Sequence, residues 1–592
     1  MPPASIVVTP RDGQWRVWLA VLAVVAIYAA TIIASWQAMH FGPLPPRLAS
    51  DLYQHLVLSN LPVADQGTVI NPWYHIRVPE AEVAYLRFGL ALRAFRIVAR
   101  ALLGQVALAL LLWNVAWTLL IAASATFLVS TIEPRRSVLF VTAALGFLLL
   151  VDVDAPRFLL ARIVYGSTAR WPLLSLPYLR TFYPQVAIPL LLMYVALNIR
   201  VLRRPAWATW AAMAAFQFAG VLTFPYVALL MTGLTGLSAL IYGIGRWPTA
   251  AWGRFLAFAG ACALGNLLFA LGSGPAFQSF TAGARVIRFD PVRLRAVTGY
   301  TFVFLTLFSG VVARVLQPSP AVGATFAGLG FATALLSLSD AAVTSSLQIS
   351  NHAQYFVHTS IALLVIGLGT RLTERTASAA RYVLGGAAVL AFGCGIAAAY
   401  LTHAWYRPGN AARGEIVLAL ASAGPRDLLI APNDHWTEET SWPPLVVPAQ
   451  VLFARNAEFV LGAEGARIDA QRLALHLYLK GETAESVDRL LAWPELTEEQ
   501  RFLAGFRRIQ PLTGAERLQA IAAVRAELLP PLRAVERLGP DVRDFFRNFH
   551  RVFVVDRLDA PFFRVARLET VLQWEGERRT DRGWIVRWGT AR

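Results

Sequence analysis

Runs of about twenty apolar residues recur through the first two-thirds of this chain, and they limit its fold more than any motif does. As a helix, such a run spans the hydrocarbon core of a bilayer, where the backbone can be satisfied only within a helix or a closed barrel. About eleven of these runs are read, near residues 15–35, 103–129, 137–152, 183–200, 206–222, 225–244, 254–272, 300–316, 321–338, 357–371 and 382–402. The 592 residues are 56% hydrophobic and 15% charged, with mean hydropathy +0.52, which suits a polytopic α-helical membrane protein rather than a large soluble enzyme. The first run is too long and too flat for a cleaved secretory segment, and no small-residue cleavage site follows it. It reads as a retained span.

From about residue 405 the apolar runs stop. The organisation expected is a transmembrane module over 1–404 and a soluble α/β domain over 405–592. Within the latter, Asp427 to Ala431, Arg551 to Val555 and Trp584 to Trp588 read as strands. Residues 465–545 read as helical, with Pro530 and Pro531 interrupting them. With the N-terminus inside, the links at Arg135 and Arg136, Arg200 to Arg204, Arg246 to Arg254 and Arg371 to Arg381 obey the positive-inside rule. An odd number of spans then puts the C-terminal domain outside. The arginines of the outer loops sit in longer segments, which translocate largely regardless of charge. A large first outer loop covers 36–102; its stretch 80–100 is amphipathic and reads as a helix lying in the membrane interface.

The formal charge is +17, yet Lys480 is the only lysine and the arginines form no basic stripe or recognition module, so nucleic acid is excluded as a partner. Cys262 and Cys394 fall inside apolar runs without metal-ligand spacing.

The chemistry concentrates where spans should leave the membrane. Asp51 follows the first, and Asp152 and Asp154 close the third; alternation of helices puts these exits on one face. Carboxylates at such a boundary are costly unless they hold a cation or a substrate. Asp51 and His55 are four apart, on one face of a helix, with Tyr53 between them. A carboxylate there serves as general base or metal ligand, or else caps a helix starting at Leu52. Asp152 and Asp154 can hold one hard divalent cation (Mg²⁺ or Mn²⁺) through oxygen, or simply mark the water boundary. Arg180, with Tyr178, Phe182 and Tyr183 around it, and Arg285 and Arg288 are suited to phosphate; bulk lipid headgroups are the other use for them. His352 and Gln354 enter the tenth run from outside, with His358 deeper, as substrate contacts or as helix-packing polar groups.

With these features the chain resembles the GT-C superfamily of polyprenyl-phosphate-dependent membrane glycosyltransferases. The resemblance is architectural over roughly 1–400 and rests on motifs only around Asp51, Asp152 and Asp154. It implies a bacterial inner-membrane enzyme with an extracytoplasmic C-terminal domain. The enzyme would move a sugar from a polyprenyl-phosphate-linked donor to a glycan or lipid acceptor, with inversion. Asp51 would be the catalytic base. Asp152 and Asp154 would be metal ligands, and His55, Tyr53, Arg180, Arg285, Arg288, His352 and Gln354 substrate contacts. The rival expectations are a lipid or polysaccharide transporter or flippase, a polysaccharide polymerase or ligase, and a non-enzymatic scaffold presenting the tail. A transporter calls for midplane charges and paired repeats, which the sequence lacks.

Overall fold

A computed structural model of the chain describes residues 14–39, 68–79, 90–102, 106–132, 138–151, 178, 185–272, 311–312, 315, 319–338, 349–375, 377–432, 442–454, 462–492 and 514–592. The protein is mostly helical. Its N-terminal part is a bundle of α1 (Gln14–Met39), α2 (Leu90–Ala101), α3 (Val106–Ile132), α4 (Val138–Leu150), α5 (Ala187–Arg203), α6 (Trp207–Thr223), α7 (Pro225–Gly243), α8 (Thr249–Gly272), α9 (Pro320–Leu338), α10 (Ile349–Arg375) and α11 (Ala377–Ala419). Among the described residues three helical stretches are long and apolar enough to cross a membrane: Leu108–Ile132, Pro225–Gly243 and Thr249–Leu268. Shorter apolar stretches occur at Trp15–Ala30, Val138–Leu150, Pro320–Leu336, Phe356–Thr370 and Arg381–Ala397. The run expected over 300–316 lies almost wholly outside the described residues.

Contacts between helix ends give the bundle a direction. Helices α3 and α5 run parallel, tied at their starts by Gln185 donating to Asn114 Oδ1 (3.0 Å) and at their ends by Arg203 donating to the Thr131 carbonyl (3.0 Å). Helices α4 and α11 also run parallel, with Gly146 facing Ala391 and Gly395 facing Leu150. The end at which α1 begins is called the lower end below. Several buried polar groups inside the bundle are neutral and pair with one another. Asn198 on α5 donates to Ser238 on α7 (2.9 Å) and to Thr325 on α9 (3.0 Å), and the Tyr194 and Thr235 hydroxyls lie 2.6 Å apart. Such pairing is what an apolar surrounding requires of a buried polar group. Among the described residues, buried charged side chains occur only from Arg413 onward: Arg413, Asp427, Asp469, Arg472 and Asp556.

Helix α11 continues past residue 405, where the apolar runs stop. It runs 43 residues, about 64 Å at helical rise, straight through Pro408 and Gly409. A proline costs one backbone hydrogen bond and some strain. The continuation is held by packing: Ile416, Val417 and Leu420 join the bundle's apolar core to one face of the C-terminal sheet. The domain is thus carried on a helix rather than on a linker.

The C-terminal sheet has the order β4-β3-β5-β7-β6, from β3 (Leu428–Ile430), β4 (Gln450–Val451), β5 (Val552–Arg557), β6 (Leu572–Arg579) and β7 (Trp584–Ala591). β3 pairs in parallel with β4 and β5, while β7 is antiparallel to β5 and β6. Alternation along β5 sends Phe553 and Val555 toward the α11 side, and Val552 and Val554 toward a second core. On that second side lie α12 (Gly462–Lys480), backed by α13 (Ala484–Ala492) and α14 (Gly514–Leu538). The expected interruption of α14 at Pro530 and Pro531 does not occur. Leu528, Leu529 and Leu532 on either side of the pair are buried against α12 and α13, and this packing keeps the helix continuous.

The expected interfacial helix over 80–100 is described only as α2. Its Ala91, Phe95 and Ala99 are buried, Phe95 edge-on to Trp113 of α3 at 5.6 Å, while Arg93, Ile97 and Arg100 are exposed.

Candidate functional site

Eight of the ten residues that the sequence nominates lie outside the described residues: Asp51, Tyr53, His55, Asp152, Asp154, Arg180, Arg285 and Arg288. His352 and Gln354 fall on the first turns of α10, with side chains also outside the described set. The described neighbours of several of these residues do come together, at the upper end of the bundle. Val151 directly follows α4, one residue before Asp152. His358 of α10 reaches that helix end, its Nε2 3.4 Å from the Leu148 carbonyl, one of the last four carbonyls that α4 cannot satisfy itself. Tyr178, two residues before Arg180, stacks edge-on against His358 at 5.3 Å, and its hydroxyl is 3.1 Å from Thr359 Oγ1.

Tyr178 holds a left-handed backbone, φ 65°. A Cβ makes that conformation cost about 1–2 kcal/mol. The buried contacts to His358 and Thr359 offset it and fix where the tyrosine sits. Sequence reasoning treated Tyr178 only as an aromatic neighbour of Arg180, and His358 as one member of a polar run. Contact between them joins α4, α10 and the chain leading to Arg180.

A second polar cluster lies where the first loop meets the C-terminal domain. Strands β1 (Thr68–Ile70) and β2 (Arg77–Pro79) form a hairpin whose turn is tied by Asn71, whose Oδ1 accepts from the Trp73 and Tyr74 amides (3.0 Å each). His75 takes the left-handed position of that turn, φ 55°. The hairpin tip caps the edge of the C-terminal sheet, since Val451 of β4 donates its N–H to the Trp73 carbonyl (2.8 Å). Trp73 and Tyr74 are fully buried there. The Tyr74 hydroxyl donates to Asp469 of α12 and accepts from the Ala454 amide (3.3 Å). Arg472, one turn on from Asp469, lies over the Tyr74 ring at 4.5 Å and donates to the Val451 carbonyl (2.8 Å) and Gln450 Oε1 (3.1 Å). Burial, and then the Asp469 charge, push the Tyr74 phenol well above its usual range, so it stays a hydrogen-bond donor. Burial likewise lowers Arg472, while Tyr74 and Asp469 beside it hold its charge in place.

One turn further along α12, His476 is 1% exposed and neither ring nitrogen has a hydrogen-bond partner. Phe453, Phe562 and Phe563 surround it at 5.5, 5.7 and 5.3 Å. Burial, helped by the Lys480 charge, lowers its pKa from 6.5 to about 3. The sequence held one signal for this cluster: Asp469, Arg472 and His476 recur on one helical face among Leu473 and Leu477, where an apolar stripe should be unbroken. Nothing local announced the hairpin as their partner.

Among the described residues no group of three His, Cys, Asp or Glu side chains gathers to hold a metal ion. Cys262 and Cys394 lie in different helices, α8 and α11, and are not joined by a disulfide. Compared with known proteins, the chain matches no family model and no curated relative.

Proposed function

We propose that the protein is a membrane-embedded inverting glycosyltransferase. It would take a sugar from a polyprenyl-phosphate donor and pass it to a glycan or lipid acceptor at the face that bears the C-terminal domain. The observation that carries this reading is the seating of the first-loop hairpin on the C-terminal sheet. The chain holding Asp51 begins at the upper end of α1 and ends in that hairpin. The chain holding Asp152 and Asp154 begins at the upper end of α4, beside His358 and Tyr178. Both acidic segments therefore start from one end of the bundle, next to one domain, as a single outward site requires.

In this reading about eleven spans form the bundle. Asp51 takes the proton from the acceptor hydroxyl as that oxygen attacks the anomeric carbon, and the bond to the lipid phosphate breaks on the opposite face. Arg180, Arg285 and Arg288 receive the charge that develops on the departing phosphate. A divalent cation held by Asp152 and Asp154 would supply Lewis-acid stabilisation of the same charge. His55, Tyr53, His352 and Gln354 orient sugar and acceptor. Neutral polar pairs inside the bundle favour this over transport, which calls for charged groups near the midplane.

The test uses the full chain in lipid vesicles with a panel of farnesyl-phosphate-linked hexoses and pentoses and a panel of glycan and lipid acceptors, and reads released farnesyl phosphate. Release should occur for at least one donor and vanish in Asp51→Asn with folding intact. No release from any donor, or undiminished release in Asp51→Asn, would overturn the proposal.

A further inference from the structure

An open groove of about 440 Å³ runs between α1, α3 and α4 at the lower end of the bundle. Val17, Trp18 and Val21 form one wall, and Leu119, Ala123 and Phe127 the other. The two hydroxyls in it are already committed to their own helix. Thr126 donates to the Ala122 carbonyl (2.8 Å) and Ser130 to the Phe127 carbonyl (2.7 Å), so the groove presents hydrocarbon. From Val17 to Val25 it follows eight residues of α1, about 12 Å, which accommodates part of one extended acyl chain.

The rim is cationic. Arg16 precedes Val17 and is exposed. The Arg200 guanidinium, on α5, lies 4.3 Å from the centre of the Phe127 ring that lines the groove. Arg203 is anchored to the Thr131 carbonyl next to Ser130. Within helices α1, α3, α4 and α5 the charged side chains are all arginines. A hydrocarbon slot with guanidinium groups at its mouth is complementary to a lipid whose chain lies along helices and whose headgroup is negative.

We infer that this groove binds one anionic phospholipid, its acyl chain between α1 and α3 and its phosphate near Arg16 and Arg200. The site is at the end of the bundle away from the hairpin and the C-terminal domain, so it is separate from the donor site proposed above. The inference rests on the membrane reading of the bundle, not on the transferase chemistry.

The full chain, reconstituted with equal dioleoylphosphatidylglycerol and dioleoylphosphatidylcholine and then stripped into detergent, would be examined by native mass spectrometry. Wild type should retain one phosphatidylglycerol, with Arg16 and Arg200 each contributing about fivefold to the preference over phosphatidylcholine. Arg16→Gln combined with Arg200→Gln should bring the two lipids to near parity. Ala123→Phe, which fills the groove, should lose the retained lipid, whereas Leu264→Phe on the exposed face of α8 should keep it and report that an added ring is tolerated. Equal retention of both lipids by wild type, or full retention by Ala123→Phe, would refute the site. Lipid retention without farnesyl phosphate release would leave the groove standing and remove only the transferase proposal.

Discussion

Acid should loosen the C-terminal domain through one residue, His476. Its imidazole is enclosed by Phe453, Phe562 and Phe563 with both nitrogens unpartnered, so the folded domain has no place for its charge. The folded pKa of about 3 lies below the ordinary 6.5. In the opened chain the ring takes up a proton once pH falls below about 6.5, while in the folded chain it stays neutral, so stability is complete above that value and is lost as pH falls toward about 3. Between about pH 7.5 and about pH 4.5 the linkage amounts to about 2.6 kcal/mol, or about a 90-fold rise in the open population. Asp556 is raised by burial and opposes this trend, so the decisive quantity is the difference between wild type and His476→Leu. Hydrogen exchange of the full chain, corrected for intrinsic rates, would follow peptides from α12 and β5. Wild type should lose protection on acidification about 90-fold more than His476→Leu does. Parallel pH profiles for the two proteins would show that the cage admits the charged ring, and the reasoning would fail.

Two further outcomes follow from the packing. Tyr74→Phe leaves Asp469 and the Ala454 amide without their shared partner, at a cost of about 1–3 kcal/mol. The hairpin should then exchange faster and be cut sooner by protease, and unchanged protection of residues 68–79 would count against Tyr74 as the anchor. Gly328→Ala places a Cβ 3.0 Å from the Leu234 carbonyl and the Ser238 amide, backbone atoms that can give way only by parting α7 and α9. Overpacking of that kind costs about 1–3 kcal/mol, while Gly236→Ala on α7 meets nothing within 4 Å and should be neutral or mildly stabilising. Equal melting temperatures for the two variants in detergent would contradict the close α7–α9 contact.

The helices of the bundle were legible because an apolar run is a local signal. The described helices α3, α5, α6, α7 and α9 begin and end within a few residues of the expected runs. Strands β3, β5 and β7 were equally plain as short apolar runs. The proline argument failed at Pro530 with Pro531, where the helix stays continuous. Local propensity sets a cost of a few kcal/mol, and burial of Leu528, Leu529 and Leu532 on either side of the pair exceeds it. β6 went unrecognised because its exposed charges, Glu575, Glu577, Arg578 and Arg579, look like loop until β7 lies beside it.

By itself the sequence determined a helical, strongly apolar N-terminal part, a C-terminal part of mixed strands and helices, and a set of acidic residues at run ends. These follow from composition and periodicity, which act over a few turns of chain. Only the tertiary structure decided that the first-loop hairpin seats on the sheet edge, that Tyr74 finds Asp469 across 395 positions, and that Tyr178 and His358 meet at the end of α4. Those contacts depend on which faces pack, and a buried hydrogen bond or a left-handed tyrosine leaves no periodic trace in the sequence that encodes it.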